Sequence, residues 1–406
     1  MNNGELRVYG YRWVVLAAFV LIASMTQVLW ITFAPITRAA AEFYHTSDLM
    51  IGLLSMSFMI VYIVLFLPAA WMIDTLGFSA AVRFGAILTA VFALMRGVFA
   101  ANFTIVFIAQ VGLAAGQPFI IGAITKIAVR WFPASERATA SGIGALALYL
   151  GPLAAMILTP ALVVRNGLPR TLLLYGIAAA VAAAFFLVVA REHPPTPAGR
   201  DERVLMFEGL KTMLRRRDFL LLLVLFFIGL GMFNGISTWI EDIVRPRGFT
   251  ITQAGWLGGL MLIGGIVGAV VMPMLSDKLR RRKPFLVIAL AGLIPGLVGM
   301  TFATGYGLLL VSGFVFGFFL LSAGPLGFQY GAEITSPAPE GTSNSLLLVI
   351  GQVSGIIFIF AMDGLKSKAT GAMTAPLVAL ALLTVACLGL ATMLRESPIS
   401  GTRAAK

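Results

Sequence analysis

The sequence predicts an all-α membrane protein: twelve transmembrane helices in two pseudo-symmetric six-helix halves. Three observations predict it: an apolar, charge-poor composition, twelve apolar segments of spanning length, and an internal repeat of half the chain. Of 406 residues, 59% are hydrophobic and 11% charged, and the mean hydropathy is +0.97. A soluble domain carries about 25% charged residues. The 29 basic and 17 acidic side chains here cannot clothe a soluble surface, which excludes an aqueous enzyme. They gather in short runs between long uncharged stretches, as in a polytopic helical protein.

A helix needs about 20 apolar residues to cross the hydrocarbon. In chain order the spans fall at 11–37, 49–73, 79–100, 104–130, 138–163, 170–190, 218–244, 251–276, 284–303, 305–331, 342–363 and 370–394. Span 1 is too long for the apolar core of a signal peptide and contains Trp30, so it reads as a retained helix. Most connections are shorter than a dozen residues, so neighbouring spans run antiparallel. The exception is 191–217, which opens REHPPTPAGRDER and continues as the basic, amphipathic VLMFEGLKTMLRRR. It separates an N-terminal half (1–190) from a C-terminal half (218–406). Its second part is expected to be a solvated surface helix or one docked at the interface.

The net charge of +12 invites a nucleic-acid reading, but the basic residues sit in loops between spans. With both termini on one side, that side holds 19 of the 29 lysines and arginines, the other holds seven, and Arg12, Arg96 and Lys126 lie within spans. The positive-inside rule makes the termini cytoplasmic. A lone cysteine, Cys387, excludes an intramolecular disulfide and a cysteine metal cluster.

The second span ends in Asp74-Thr-Leu-Gly77, and the eighth ends in Asp277-Lys278-Leu-Arg-Arg281-Arg-Lys283. Glu136, Ser141 and Gly151 match Glu340, Ser345 and Gly355, at offsets of 203 to 204 residues throughout. Such a parallel repeat with a long central loop resembles the major facilitator fold. The resemblance implies a cytoplasmic gate on Asp74, Gly77, Glu136, Asp277, Lys278, Arg281 and Glu340. In that superfamily the loop acid caps a helix of the other half. Asp74 is thus expected near the start of span 11 and Asp277 near the start of span 5, the alternative being solvated loop charges. The first copy lacks the basic partners, having Thr75 and Phe78 instead.

None of the seventeen acids, and neither histidine, falls at mid-membrane. A buried carboxylate relay for protons is therefore not expected. Arg96 and Lys126 are expected to snorkel toward the headgroups. What occupies the centre is neutral and polar. Gln117 is the midpoint of span 4 and Gln352 of span 11, with Asn234 just past the middle of span 7. Trp30 lies toward the outer end of span 1, and Gln110 shares the face of Gln117. Tyr62 and Tyr149 lie near the middles of spans 2 and 5. Trp30 and Asn234 are 204 residues apart, as pseudo-symmetric mates would be. These residues form the candidate substrate site, the alternative for each being interhelical glue. Glycines crowd span 8 (Gly255, Gly258, Gly259, Gly264, Gly265, Gly268) and span 10 (Gly313, Gly317, Gly324, Gly327), where close helix packing is expected.

Four stretches carry a closer resemblance: GLLSMSFMIVYIVLFLPAAWMIDTLG (52–77), GQPFIIGAITKIAVRWF (116–132), AEITSPAPEGTSNSLL (332–347) and GQVSGIIF (351–358). They resemble the feline leukaemia virus subgroup C receptor-related transporters, a family associated with choline and ethanolamine transport and, in older proposals, haem export. The resemblance implies a cage of one tryptophan and two glutamines, falling here on Trp30, Gln117 and Gln352. The family's second cage aromatic, a tyrosine on span 7, is replaced by Asn234, which points to a smaller or hydrogen-bonding amine.

The expected function is alternating-access transport of a small polar organic solute, a cationic or zwitterionic amine, by a facilitative or potential-driven uniporter. The alternatives are a proton-coupled carrier of small organic anions, with Arg96 or Lys126 as counter-charge, a haem or drug exporter, and a non-transporting receptor. No enzyme activity, cofactor, metal or nucleic acid is expected. The expected partners are the solute and the lipid bilayer, the expected state a monomer. Compact loops suggest a multi-pass protein of a prokaryotic inner membrane.

Overall fold

A computed structural model describes residues 9–133, 135–194, 213–336 and 340–397, without the side chains of 138 and 340–342. Residues 195–212, most of the expected linker and its amphipathic helix, lie outside the described residues. The described residues form helices and no strand. Twelve helices are long and apolar enough to cross a membrane. In the first unit they are α1 (Tyr11–Ile31), α2 (Asp48–Thr75), α3 (Phe78–Val98), α4 (Phe103–Ile121), α5 (Arg137–Asn166) and α6 (Leu168–Val189). In the second they are α7 (Arg217–Thr238), α8 (Ile251–Leu279), α9 (Lys283–Phe302), α10 (Tyr306–Thr335), α11 (Glu340–Leu365) and α12 (Thr374–Thr392). The contacts divide the chain into Met1–Arg203 and Val204–Lys406.

Inside each unit the same pairings recur. α2 packs on α4, α3 on α4 and α6, and α1 on α5; likewise α8 packs on α10, α9 on α10 and α12, and α7 on α11. Lipid is as apolar as the side chains, so close packing must hold such helices together. The α8–α10 contact is the most extensive, and glycine makes it possible. A Cβ at Gly264, Gly268 or Gly317 would run into the backbone oxygen of Phe314, Phe318 or Met261, respectively.

The helices follow the expected spans to within a few residues, but three expected spans are broken. Span 1 stops at Ile31 and continues as a 3₁₀ turn, Ala34–Ile36, and a short helix, Thr37–Phe43. Pro35 opens that turn and brings no backbone N–H. Span 4 stops at Ile121, three residues after Pro118, and resumes at Ile124–Trp131. Span 7 ends at Thr238, leaving a five-residue helix, Ile240–Val244, beyond Trp239. Trp30 thus sits in the last turn of α1, and Asn234, four residues before the end of α7, is farther from mid-helix than the unbroken span implied.

Gly268→Ala and Gly317→Ala should each destabilise the protein by about 1–3 kcal/mol, because backbone cannot yield to the added methyl. Gly324→Ala, whose Cβ would meet nothing within 4 Å, should be neutral or gain up to about 1 kcal/mol of helix propensity. Thermal unfolding of the purified variants in detergent compares them directly.

Candidate substrate site

In the first unit, Trp30 is 8% exposed and its indole N–H donates to the Ser55 carbonyl of α2 at 3.2 Å. The Ser55 hydroxyl returns a bond to the Trp30 carbonyl at 3.4 Å. With its only donor used, the indole has its ring left to offer a ligand. Gln117 is 7% exposed on α4, yet its amide has no hydrogen-bond partner among the described residues and is not sealed from solvent. Tyr62 and Tyr149 are partly buried, and their hydroxyls are likewise uncommitted among the described residues. Tyr62 stacks on Phe66, with ring centroids 6.5 Å apart. These side chains stand on α1, α2, α4 and α5, helices that pack in pairs within the unit.

In the second unit, Asn234 is 7% exposed on α7 and Gln352 is partly buried on α11. Neither amide has a partner among the described residues, and neither is sealed. Their two helices are locked together. A Cβ at Gly231 or Gly351 would strike Phe358 or Leu230 across the α7–α11 seam. The Trp239 indole N–H donates to the Ile359 carbonyl at 3.1 Å. Beyond it, Lys366 pairs with Asp242, which also accepts from Arg245 at 2.8 Å. Asp242 and Glu241 are both buried in this cluster.

Of the two intramembrane cations, Arg96 does not snorkel. Lys126 pairs with Asp74 at 3.0 Å. Arg96 is fully buried and donates to the Leu29 carbonyl at 3.2 Å and to Gln110 Oε1 at 2.7 Å. Gln110, fully buried, donates to the same carbonyl at 3.1 Å, so it belongs with Arg96 rather than with Gln117.

Several loop and helix-end residues make contacts inside their own unit. Glu136 takes a two-pronged bond from Arg12, at 3.1 and 3.3 Å, joining the starts of α5 and α1. Gly77 turns the chain at φ +92°, and a Cβ there would collide with the Glu192 carboxylate. Glu192 accepts from the Ser79 N–H at 2.7 Å, capping α3, and pairs with Arg130. In the second unit Arg280 reverses the chain in the left-handed region (φ 51°). Arg282 then bonds Ser276 at 3.0 Å and Glu333 at 3.1 Å, and pairs with Asp277. Burial works against the Arg282 charge, but the hydrogen bonds and charges of Glu333 and Asp277 outweigh it and raise its pKa. Lys278 and Arg281 are exposed, leaving Arg282 to make those contacts. The side chain of Glu340 lies outside the described residues. Glu396 accepts from the backbone N–H groups of Arg282 and Lys283, at 2.6 and 3.2 Å, and caps α9.

Residues 14–359 match the family described as the Major Facilitator Superfamily. The chain belongs to that superfamily. It is therefore an alternating-access membrane transporter of a small molecule rather than an enzyme. Solute carrier family 49 member A3 of Danio rerio is 30% identical over 379 residues, covering 89% of this chain and 80% of that protein. The choline/ethanolamine transporter FLVCR1 of Felis catus is 30% identical over 383 residues, covering 88% and 68% respectively. These relatives place the chain with the FLVCR-related members of the superfamily. Among solved structures, a bacterial homologue of the human lysosomal transporter Spinster, inward-facing and unoccupied, superposes with a TM-score of 0.71 at 17% identity, covering 96% of each chain. The E. coli fucose:proton symporter FucP gives 0.66 at 16% identity, covering 96% of this chain and all of that one. At such identities the likeness concerns the fold.

Sequence reading missed Gln27, buried three residues before Trp30 on the same helix face, with no partner among the described residues. It also missed Glu192 and Glu396, although the Arg-Glu pairs at 191–192 and 395–396 repeat at the offset of 204 that links the halves. An acid at a helix start is worth about 0.3–1 kcal/mol. Glu192→Gln and Glu396→Gln should each cost about that much, and removal of the side chain with Ala about 0.5–2 kcal/mol. A double variant that melts at the wild-type temperature would contradict the capping role.

Proposed function

We propose that this transporter carries a small cationic or zwitterionic amine, of the choline or ethanolamine kind, passively or driven by membrane potential. We place it in a prokaryotic inner membrane with both termini cytoplasmic. The observation that carries the reading is the set of uncommitted amides at membrane depth, Gln117, Asn234 and Gln352. An amide that is open to solvent and bonded to no protein group can exchange its water for a solute. Each amide offers one acceptor oxygen and two donor hydrogens, suited to a hydroxyl, an amine or a carboxylate. Trp30 supplies a ring face whose N–H is already spent, which suits a cation. Gln27, Tyr62 and Tyr149 extend the polar lining. Relatives named as choline/ethanolamine transporters support the same class.

The anion reading loses its counter-charges, since Lys126 is taken by Asp74 and Arg96 by carbonyls and Gln110. Nor does the middle of any span carry an acid for proton coupling. Asn234, in place of an aromatic, favours an amine that can donate hydrogen bonds over a quaternary one.

In proteoliposomes, radiolabelled ethanolamine and choline should enter without a proton gradient. An inside-negative potential of about 100 mV, worth about 2.3 kcal/mol per charge, should concentrate them roughly 50-fold. Flux that needs a pH gradient at zero potential, or no flux of any amine, would overturn the reading. Trp30→Ala should weaken binding by about 1–2 kcal/mol, with part kept by Trp30→Phe. Gln117→Ala or Gln352→Ala should each cost about 0.5–1.5 kcal/mol, and Asn234→Tyr should tighten choline. Wild-type affinity in folded Trp30→Ala and Gln352→Ala proteins would mark these residues as packing.

A further inference from the structure

α1 ends one residue beyond Trp30. The carbonyl of Leu29 belongs to its last turn, whose oxygens lack partners within the helix. At membrane depth no water meets such an oxygen. Two side chains from other helices do: Arg96 of α3 and Gln110 of α4 both donate to it, and Gln110 also accepts from Arg96. The second Arg96 amino group lies 3.5 Å from the hydroxyl of Thr32, the first residue past the helix end. The guanidinium carbon stands 5.6 Å from the centre of the Phe33 ring. Among the described residues no carboxylate pairs with this fully buried cation. Its charge is balanced by the negative end of α1 and by the ring of Phe33. Two adjacent carbonyls, those of Leu29 and Trp30, are therefore held from three helices, because Ser55 of α2 bonds the second.

A buried charge is costly, and an apolar side chain would pack α3 against α1 without that cost. What the guanidinium secures is the place where α1 breaks and the direction in which its last side chains leave. We propose that Arg96, acting through Gln110 and the Leu29 carbonyl, is a positioning residue for the substrate site that sets the pose of Trp30. The binding consequence rests on Trp30 being a wall of that site; the pose itself does not.

The test uses Arg96→Met, Arg96→Lys and Gln110→Leu, each made with Trp30 and with Trp30→Phe, so that the difference in emission isolates Trp30. In Arg96→Met the Trp30 emission should move to the red and become more open to acrylamide, with part of the change reversed in Arg96→Lys. An unchanged Trp30 contribution overturns the proposal. In choline binding, Arg96→Met should weaken affinity about tenfold when Trp30 is present and by less than about twofold in a Trp30→Ala protein, the non-additivity expected of coupled residues. Equal losses in both backgrounds would show a general structural role and overturn it as well. If choline binds none of these proteins, the amine reading fails while the emission measurement still decides the pose. Should Arg96→Met fail to fold, Arg96→Lys, which keeps the charge but loses the planar fork that bonds Leu29 and Gln110 together, gives the same readouts.

Discussion

A helix that ends inside or beside hydrocarbon leaves carbonyl oxygens at one end and N–H groups at the other, and no solvent is there to satisfy them. Much of the charge placement answers that constraint. Arg96 meets the broken end of α1, and Arg247 bonds the carbonyls of Met300, Thr301 and Ala303 where α9 finishes. Arg216 bonds the Ile334 and Ser336 carbonyls at the end of α10, and Arg83 the Ala190 carbonyl just past α6. At the starts of α3 and α9 the sign reverses, and Glu192 and Glu396 accept from backbone N–H groups. Cations at C-termini and acids at N-termini are what the helix dipole favours. The burial that makes Arg247 useful also lowers its pKa.

Which ionic contacts matter follows from burial. Arg38 and Glu42 form an exposed pair one helical turn apart, worth about 0–1 kcal/mol. Asp242, sealed against Lys366 and Arg245, is in another regime: removing one partner of a buried pair costs about 3–5 kcal/mol, because the survivor stays charged and unsolvated. The Arg282 cluster lies between, with Glu333 buried and Asp277 exposed.

The fold was legible because membrane-spanning helices announce themselves by composition, and because the repeat survives in loop residues such as Asp74 and Asp277. Gln352 stands at the middle of α11, where counting along the span put it, whereas the break at Ile121 leaves Gln117 near the end of α4 rather than at its midpoint. Arg96 was misread because its partners, Leu29 and Gln110, lie on other helices and one of them is a main-chain oxygen, which no side-chain pattern reveals. The pairing of Lys126 with Asp74 was not legible either, since Asp74 lies at the end of a different helix, α2. The breaks at Pro35 and Pro118 were readable from missing donors, whereas the one at Trp239 has no such signal. The burial of Asp242 was not legible, because a linear reading cannot see Lys366 folding over it.

The seam between α7 and α11 has a consequence for selectivity. Glycines bring the two helices into contact near Asn234 and Gln352, and Trp239 and the Asp242 cluster bolt them beyond. The two amides therefore stand on one tightly packed pair of helices. A solute held by both, as proposed above, would have to match the spacing that this packing sets. Accepting a longer cargo at that site would then require recutting the seam as well as the side chains that touch the solute.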